Sequence, residues 1–453
     1  MAYSIQSLIQ EIISQNYWRI DLSASMDPDV QKIGSSHLKY TPKPIAPADC
    51  LAPGIITLRG PRRSGKSIAV KQLILTLIQE ENWDPNSILW FTAETTRTMA
   101  NLERIIIGLV KECKPRMLCI DEVSGVRGWQ NVIKKLVDTG TLSACVVILT
   151  GSSAYDIKTG SERMAGRRGM VANPDRILLP MDFTDFCIQV RRHLPDMNDK
   201  DLCQHYLVCG GFPFRVNHLI DDLKSGRAFD PFSQMQVLDD VFFYEIQRRK
   251  LDRSIALEVM SRLAANGCGA LSYEGFAKSL SISRDSVRRY LDALGDAFLV
   301  ATISSYDTGG GRVAPKKDRK FIWIDPALTY MSKSQGQGPE WDEASRAELL
   351  VFASMLRHFE KRIWEGLSAP RNVFTWKSSS GNEIDVLVVD RSQKLLFPVE
   401  VKWQNVINDW DFQVMERAFG RGVLVTKSFE KSRIKSQAVP LTEFLFRGVG
   451  LIC

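Results

Sequence analysis

The segment Gly60–Ser67 matches the pattern G-x-x-x-x-G-K-[ST] at every fixed position, and the apolar run Ile55–Arg59 precedes it. Its glycines let backbone N–H groups curve around phosphate oxygens, and a helix starting at Ser67 adds positive potential. Lys66 would place its charge on the β- and γ-phosphates, and the Ser67 hydroxyl would ligate Mg²⁺. The segment therefore predicts a site for ATP or GTP. The predicted nucleotide contacts in it are Gly60, Arg63, Ser64, Gly65, Lys66, Ser67 and Ile68.

Two later strand-like runs end in polar groups. The run that starts at Met117 ends in Asp121 and Glu122. Asp121 would hold the magnesium ion through water, whereas Glu122 would orient and deprotonate the attacking water, so the second carboxylate indicates hydrolysis. The run Val146–Ser153 ends in hydroxyls. Thr150 in this run is predicted to sense the γ-phosphate, with an ordinary Ser/Thr loop as the alternative.

A third set of reactive residues lies near the C-terminus. Asp385 begins one strand-like run, and Glu400 and Lys402 end the next. The two-residue period of a strand places Glu400 and Lys402 on one face. Asp385 on the adjacent strand would complete a carboxylate pair for Mg²⁺, and Lys402 would position or activate water. This spacing resembles that of restriction endonucleases, in which an additional acid such as Glu348 comes from the preceding helix.

Basic residues cluster between these two regions. The helix predicted from Ser283 carries Arg284, Arg288 and Arg289 beside an apolar stripe, and a turn joins it to a shorter helix over 271–280. A hairpin follows, and residues 312–320 of its loop carry five basic groups and one acidic group. Helix, turn, basic helix and basic loop predict DNA contact. The alternative is a packing module with a solvated loop. The predicted DNA contacts are Arg284, Arg288, Arg289, Lys316 and Lys317.

The elements that carry these residues follow from hydrophobic patterning. From residue 54 to about 180, short apolar strands alternate with helical stretches, which predicts a parallel sheet with helices on both faces. Residues 185–265 have a helical pattern. Residues 254–325 predict three short helices and a hairpin. The remainder is mixed α/β, with a long helix over 343–360 and strands around 373–377, 384–389, 396–402 and 422–426.

Composition sets broader limits. The 453 residues are 44% hydrophobic and 25% charged, which excludes a disordered, collagen-like or rod-shaped protein. The net charge of +7 is compatible with a phosphate-bearing partner. Nine scattered cysteines without a CxxC pair favour reduced thiols in a cytoplasmic protein. No apolar run is long enough to span a membrane, and the amphipathic N-terminal helix does not resemble a signal peptide.

Several sequence blocks resemble AAA-like P-loop ATPases that carry a C-terminal winged helix and a restriction-endonuclease-like domain. These blocks are Asp121–Trp129, Leu149–Ala154, Ala165–Gly169, Leu179–Phe186 and Tyr206–Pro213. The resemblance covers nearly all of the chain after residue 50 and implies ATP and Mg²⁺ as cofactors. It also implies that Arg167 or Arg168 stabilises charge on the transferred phosphate. A solvated basic loop is the alternative for this pair, and an arginine supplied in trans would require a ring or a dimer.

The resemblance gives an α/β fold with a P-loop core, a winged helix and a restriction-endonuclease-like domain. We predict an N-terminal helical extension (1–50), an ATPase core (51–190), a helical lid (191–252), a winged helix (253–330) and the nuclease-like domain (331–453). The leading hypothesis is an ATPase that binds DNA and couples turnover to remodelling or movement on DNA, and it leaves metal-dependent nuclease activity of the C-terminal domain open. Two alternatives are a nucleotide-dependent regulatory switch with protein-binding C-terminal domains and a nuclease gated by ATP.

Overall fold

The computed structural model describes residues 5–96, 98–155, 164, 166–390 and 395–451. Ala165, the first residue of one sequence block, and Cys453 lie outside these residues. The chain forms two compact units, Met1–Leu179 and Pro180–Cys453. Among the described helices, none is both long and apolar enough to cross a membrane.

The first unit is built on a parallel sheet. Its strands are β1 (Gly54–Arg59), β2 (Ile88–Thr92), β3 (Met117–Asp121), β4 (Val146–Gly151) and β5 (Asp175–Ile177). They lie in the order β2-β3-β4-β1-β5, and every described pair is parallel. The predicted parallel α/β core is confirmed. Because β1, β3 and β4 end at the same edge, the polar residues after them converge there.

Helices cover both faces of this sheet. They are α1 (Ile5–Ser14), α2 (Pro28–Ser35), α3 (Lys66–Gln79), α4 (Met99–Cys113) and α5 (Trp129–Asp138), with short 3₁₀ turns at Tyr17–Arg19, Pro47–Cys50, Pro85–Ser87 and Val123–Gly125. Along β3, Leu118 and Ile120 pack in one core with α1, α4 and α5, whereas Met117 and Cys119 pack in the opposite core with α3. The two-residue period of a strand produces this division. Burial on both faces explains why the strand is apolar throughout.

The second unit begins with helices. They are α6 (Phe183–Arg191), α7 (Asp199–Cys209), α8 (Pro213–Lys224), α9 (Met235–Arg248) and α10 (Arg253–Asn266). The junction between α7 and α8 is held by the fully buried Asp325, whose carboxylate accepts the N–H groups of Gly211 at 2.8 Å and Ala327 at 2.9 Å. Burial raises the pKa of Asp325, and these backbone hydrogen bonds offset part of that effect.

A small sheet follows α10. Its elements are β6 (Ala270–Leu271), α11 (Tyr273–Leu280), α12 (Arg284–Asp296), β7 (Val300–Ile303) and β10 (Arg319–Trp323), with the hairpin β8 (Tyr306–Asp307) and β9 (Arg312–Val313) inserted. The strand order is β6-β10-β7 with antiparallel pairing. The Ser283 hydroxyl accepts the Ser286 N–H and caps α12. Two helices joined by a short turn and followed by paired strands match the element order predicted for this region.

The unit ends in a six-stranded mixed sheet. The remaining elements are α13 (Met331–Ser334), α14 (Glu343–Phe359), β11 (Val373–Lys377), β12 (Glu383–Asp390), β13 (Leu395–Lys402), α15 (Gln413–Phe419), β14 (Gly422–Thr426), β15 (Lys431–Ser432), β16 (Ser436–Pro440) and α16 (Leu441–Arg447), with 3₁₀ turns at Pro326–Tyr330, Ile363–Glu365, Asp409–Phe412 and Gly448–Leu451. The strand order is β11-β12-β13-β14-β16-β15. β12 pairs with β13 antiparallel, and β13 pairs with β14 parallel.

Candidate nucleotide site and C-terminal charge cluster

The phosphate loop joins β1 to α3. Gly60 has φ +145°, and a Cβ there would lie 2.0 Å from the carbonyl oxygen of Leu178, so only glycine fits without a shift of the backbone. Gly65 and Arg63 also have positive φ, at +97° and +67°. Gly65 precedes α3, which begins one residue earlier than predicted, at Lys66. The loop is therefore folded to point backbone N–H groups at an anion.

Lys66 is held across the loop. Its side-chain amine donates to the carbonyl oxygens of Gly60 at 3.1 Å and Pro61 at 2.8 Å, and the residue is buried. Ser64 is also buried, and its Oγ has no hydrogen-bond partner among the residues that the structure describes. Hydrogen bonds from an ammonium to phosphate oxygens are stronger than those to neutral carbonyls. A phosphate in the loop can therefore compete with the carbonyls for Lys66.

Ser67, Asp121 and Thr150 form one hydrogen-bonded chain. The Ser67 hydroxyl donates to Oδ2 of Asp121 at 2.6 Å, and the Thr150 hydroxyl donates to Oδ1 of the same carboxylate. Burial raises the pKa of Asp121, and the two hydroxyl hydrogen bonds offset part of that increase. Residues far apart in sequence thus meet at the edge where β3, β4 and α3 converge, as the motif spacing predicts.

Glu122 follows this carboxylate in a constrained conformation. Its φ is +49°, in the left-handed region that residues other than glycine rarely adopt, and its N–H donates to Oγ1 of Thr150 at 3.1 Å. Backbone strain of this kind concentrates at functional sites. Thr150 therefore both donates to Asp121 and accepts from Glu122. This bridging contact was not predicted for Thr150, which was expected to sense the γ-phosphate.

The residues present fit a magnesium ion at the phosphate loop. A hydroxyl and a carboxylate, from Ser67 and Asp121, are the oxygen donors that Mg²⁺ takes beside nucleotide phosphates. Bound there, the ion would neutralise negative charge on the phosphates. Ser67 and Asp121 would hold it, and Thr150 would keep the Asp121 carboxylate in place.

The two arginines predicted to act on phosphate both form ion pairs. Arg167 lies 2.6 Å from Asp138, and both side chains are partly exposed. Arg168 lies 2.6 Å from Asp175 in a more buried pair, and Asp175 also accepts the Thr57 hydroxyl at 2.5 Å. Burial lowers the pKa of Arg168, and Asp175 offsets part of that effect. Asp175 thus joins Arg168 and the Thr57 hydroxyl of β1, whereas the Arg167 pair is exposed to solvent, where ion pairs contribute little to stability.

The C-terminal carboxylates also come together. The N–H of Asp385 donates to Oε2 of Glu400 at 3.1 Å, and Lys402 lies 3.1 Å from Oε1 of Glu400. Oδ2 of Asp385 accepts the Val401 N–H at 3.0 Å. Glu400 and Lys402 border a cavity of 420 Å³ whose rim includes the exposed Trp410. The predicted grouping of Asp385, Glu400 and Lys402 is present in the structure.

A residue that the sequence analysis assigned elsewhere lies in the same cluster. The Lys320 ammonium lies 2.5 Å from Oε1 of Glu348 and 2.9 Å from Oδ1 of Asp385. Lys320 is only 7% exposed. Counting it among the basic groups of the loop was wrong, because it is the second residue of the strand β10 and its side chain is buried. We call Lys320, Glu348, Asp385, Glu400 and Lys402 the charge cluster.

Burial and mutual repulsion set the charge state of the cluster. Burial raises the pKa of Glu348 and of Glu400, and the negative charge of Asp385 raises both further. Burial alone would lower the pKa of Lys320, but Asp385 and Glu348 outweigh it and raise the pKa above the ordinary lysine value. Lys320 is therefore a firmly charged ammonium.

The charge cluster does not fit the magnesium ion predicted at Asp385 and Glu400. Ammonium groups already supply the cluster's positive charge, because Lys320 lies 2.5 Å from Glu348 and 2.9 Å from Asp385, and Lys402 lies 3.1 Å from Glu400. A divalent ion would have to displace the Lys320 ammonium from Asp385. Among the residues that the structure describes, no group of three or more His, Cys, Asp or Glu has a metal-binding arrangement.

The predicted DNA contacts lie at the surface. Arg284, Arg288 and Arg289 are exposed on α12, opposite the buried Val287 and Tyr290. Arg288 lies 3.7 Å from Asp292, an exposed pair that leaves its charge accessible.

The loop lysines border a groove. Lys316 and Lys317 line a groove of 740 Å³ that also contains Trp376 and Lys377. The amine of Lys317 donates to the carbonyl oxygen of Lys377 at 2.8 Å. The groove therefore combines cationic and aromatic groups with three carboxylates, from Asp307, Asp318 and Glu383.

Comparison with known proteins gives family matches in three segments. Residues 52–187 match the AAA domain family, residues 200–336 match a domain of unknown function (DUF8612), and residues 347–444 match another (DUF4143). The comparison with curated proteins gives no match.

Comparison with solved structures gives matches at low sequence identity. A Walker-type ATPase of Pyrococcus abyssi is 12% identical with a TM-score of 0.44, over 70% of this chain and 96% of that one. The Orc1 protein of Aeropyrum pernix, solved with DNA, is 12% identical with a TM-score of 0.34, over 66% and 86%. DnaA of Aquifex aeolicus, bound to AMPPCP, is 10% identical with a TM-score of 0.29, over 53% and 81%. Residues 52–187 thus match the AAA domain family, and the P-loop motif Gly60–Ser67 lies inside that match.

Proposed function

We propose that this chain hydrolyses ATP with Mg²⁺ and couples the turnover to remodelling of DNA or movement on it. The observation that carries the proposal is the series of hydrogen bonds that runs from Ser67 through Asp121 and Thr150 to Glu122. Ser67 and Asp121 supply oxygen ligands for the ion. Glu122 serves as the general base for water, a role that contributes about 10²–10⁴-fold to rate.

We assign a separate task to each residue of this site. Lys66 would bind β- and γ-phosphate oxygens in place of the carbonyls of Gly60 and Pro61. Thr150 would fix the carboxylate of Asp121 and the backbone of Glu122 at once. By holding the backbone of the proposed base, Thr150 would reduce the cost of orienting that base during the reaction.

DNA is the proposed partner of the second unit. The exposed arginines of α12 and the loop lysines 316 and 317 would contact phosphates, with the region 253–330 acting as a winged helix. We retain the divisions at 50, 190, 252 and 330 as the proposed domain limits.

Self-association is proposed through Arg167. The Arg167–Asp138 pair is exposed, so breaking it costs little free energy. Arg167 could then contact the γ-phosphate of a neighbouring subunit in a ring or a dimer. Mixing an Arg167→Ala chain with a Glu122→Gln chain tests this. Partial recovery of turnover in the mixture supports a shared site, whereas strictly additive activities oppose it.

The experiment for the DNA partner is ATP turnover with and without single- and double-stranded DNA. We expect DNA to stimulate the wild-type chain. Removal of Arg284, Arg288, Lys316 and Lys317 should abolish the stimulation and lower the salt slope of duplex binding by up to about 0.9 per lost phosphate contact. Matched alanine variants of the exposed Lys200 and Lys361 should keep both properties. An unchanged salt slope in the fourfold variant would contradict the proposed DNA surface.

A regulatory nucleotide switch is the second candidate. The Lys320 contacts favour it, because they give the C-terminal charge cluster a cation without any metal ion. In that case the second unit would bind protein partners, and ATP turnover would be indifferent to every form of DNA. The turnover assay therefore separates the two candidates.

A further inference from the structure

The position of Lys320 in its sheet explains why its ammonium reaches the carboxylates. Lys320 lies in β10, the central strand of the small sheet, opposite Ala270 in β6 and Ile303 in β7. Its backbone is therefore fixed from both sides. The side chain passes the ring of Phe352, with Nζ 5.5 Å from the ring centroid. The strand pairing of β10 therefore fixes the position from which the ammonium reaches the carboxylates.

The carboxylates that receive this ammonium come from a different part of the chain. Glu348 lies on α14, and Asp385 lies on β12, so Lys320 joins three elements through one charge. Two carboxylates in close proximity repel each other unless a cation neutralises them. Lys320 lies between Glu348 and Asp385, and Lys402 neutralises the third carboxylate, Glu400.

We propose that the Lys320 ammonium is the resident cation of the charge cluster and excludes a divalent ion from Glu348, Asp385 and Glu400. The cluster is thus a metal-free ion network that joins β10 to α14 and β12. A divalent ion would bind there only after the positive charge of Lys320 is removed. This assignment holds whether or not the chain hydrolyses ATP, because the contacts that carry it all lie in the second unit.

The test is Mn²⁺ binding by nucleotide-free full-length protein, measured by electron paramagnetic resonance of the free ion. The variants are wild type, Lys320→Met, Lys361→Met, Asp385→Asn and the double variant Lys320→Met with Asp385→Asn. Lys361→Met is the matched control, because it removes the charge of an exposed lysine outside the charge cluster. Methionine keeps most of the lysine stem and removes the ammonium.

We expect wild type, Lys361→Met and Asp385→Asn to bind equal amounts of Mn²⁺. Lys320→Met should bind one additional ion per chain, and the double variant should lose it. The melting temperature of Lys320→Met should be below that of wild type and should rise on addition of Mn²⁺, whereas the wild-type value should not change.

Two results would overturn the proposal. One is a wild-type Mn²⁺ site that Asp385→Asn removes, since an ion would then coexist with Lys320. The other is a folded Lys320→Met chain that gains no ion. If Lys320→Met does not fold even with Mn²⁺ present, the comparison of wild type with Asp385→Asn still decides whether an ion occupies the cluster.

Discussion

Replacing Thr150 by valine should slow ATP hydrolysis while leaving nucleotide binding largely intact. Valine matches the shape of threonine but removes the hydroxyl that donates to Asp121 and accepts the Glu122 N–H. Thr150 is only 1% exposed and Asp121 only 6%, so water cannot readily replace the lost group. Lys66 and the loop glycines, which contact the phosphates, are unchanged.

The magnitude follows from these two contacts. Leaving a buried polar group without its partner costs about 1–3 kcal/mol. If a cost of this size appears in the activation barrier, kcat falls about 5- to 150-fold, because 1.36 kcal/mol corresponds to a factor of ten in rate. The assay is steady-state phosphate release, with ATP affinity measured separately by calorimetry.

Thr150→Ser is the matched control, because it keeps the hydroxyl and loses only a methyl group. It should retain most of the wild-type rate. Wild-type turnover in Thr150→Val, or equal impairment in the valine and serine variants, would refute the bridging role of the hydroxyl. Thermal unfolding of each variant shows whether a lower rate comes from misplaced Asp121 and Glu122 or from loss of the folded structure.

Two further substitutions probe other contacts. Lys66→Ala should abolish tight ATP binding in calorimetry, because the β- and γ-phosphates lose their positive partner, and wild-type affinity in this variant would contradict the loop assignment. Asp325→Ala should lower the free energy of unfolding in urea by about 2–5 kcal/mol, since it leaves the buried N–H groups of Gly211 and Ala327 without an acceptor. A loss below about 1 kcal/mol would show that these groups find other partners.

The nucleotide site could be predicted from sequence because its signals are local. A fixed loop pattern identifies Lys66 and Ser67, and an apolar run that ends in carboxylates identifies Asp121. Alternating burial on the two faces of β3 is the physical basis of that run. Once the strands are parallel, their carboxyl ends must meet, which brings Asp121 to Ser67 without further information.

The charge cluster could be predicted only in part, because its decisive contact is not local. Glu348 and Asp385 lie 28 and 65 residues beyond Lys320. In the sequence Lys320 follows four basic residues in a short loop, so the charge pattern groups it with those loop residues. The apolar residues Phe321, Ile322 and Trp323 predict a hairpin strand over Lys320–Ile324, and this strand is the signal that separates Lys320 from the loop.

The partners of Arg167 and Arg168 were not predictable for a similar reason. Asp138 lies 29 residues before Arg167, at the end of α5, and Asp175 lies 7 residues after Arg168, on the edge strand β5. Each pair therefore depends on how the chain folds back around the sheet. The sequence pattern of two arginines between glycines indicates only that an anion can approach them. It does not indicate which carboxylate of the chain occupies that position.

The most direct measurement of the central claim is single-turnover ATP hydrolysis by wild type and Glu122→Gln at saturating ATP and Mg²⁺. Glutamine keeps the size of the side chain but cannot accept the proton of water. We expect wild type to hydrolyse ATP. Glu122→Gln should bind ATP with similar affinity, but its hydrolysis rate should be lower by about 10²-fold or more. Equal rates in the two proteins, or no hydrolysis by wild type, would contradict the assignment of Glu122 as the general base.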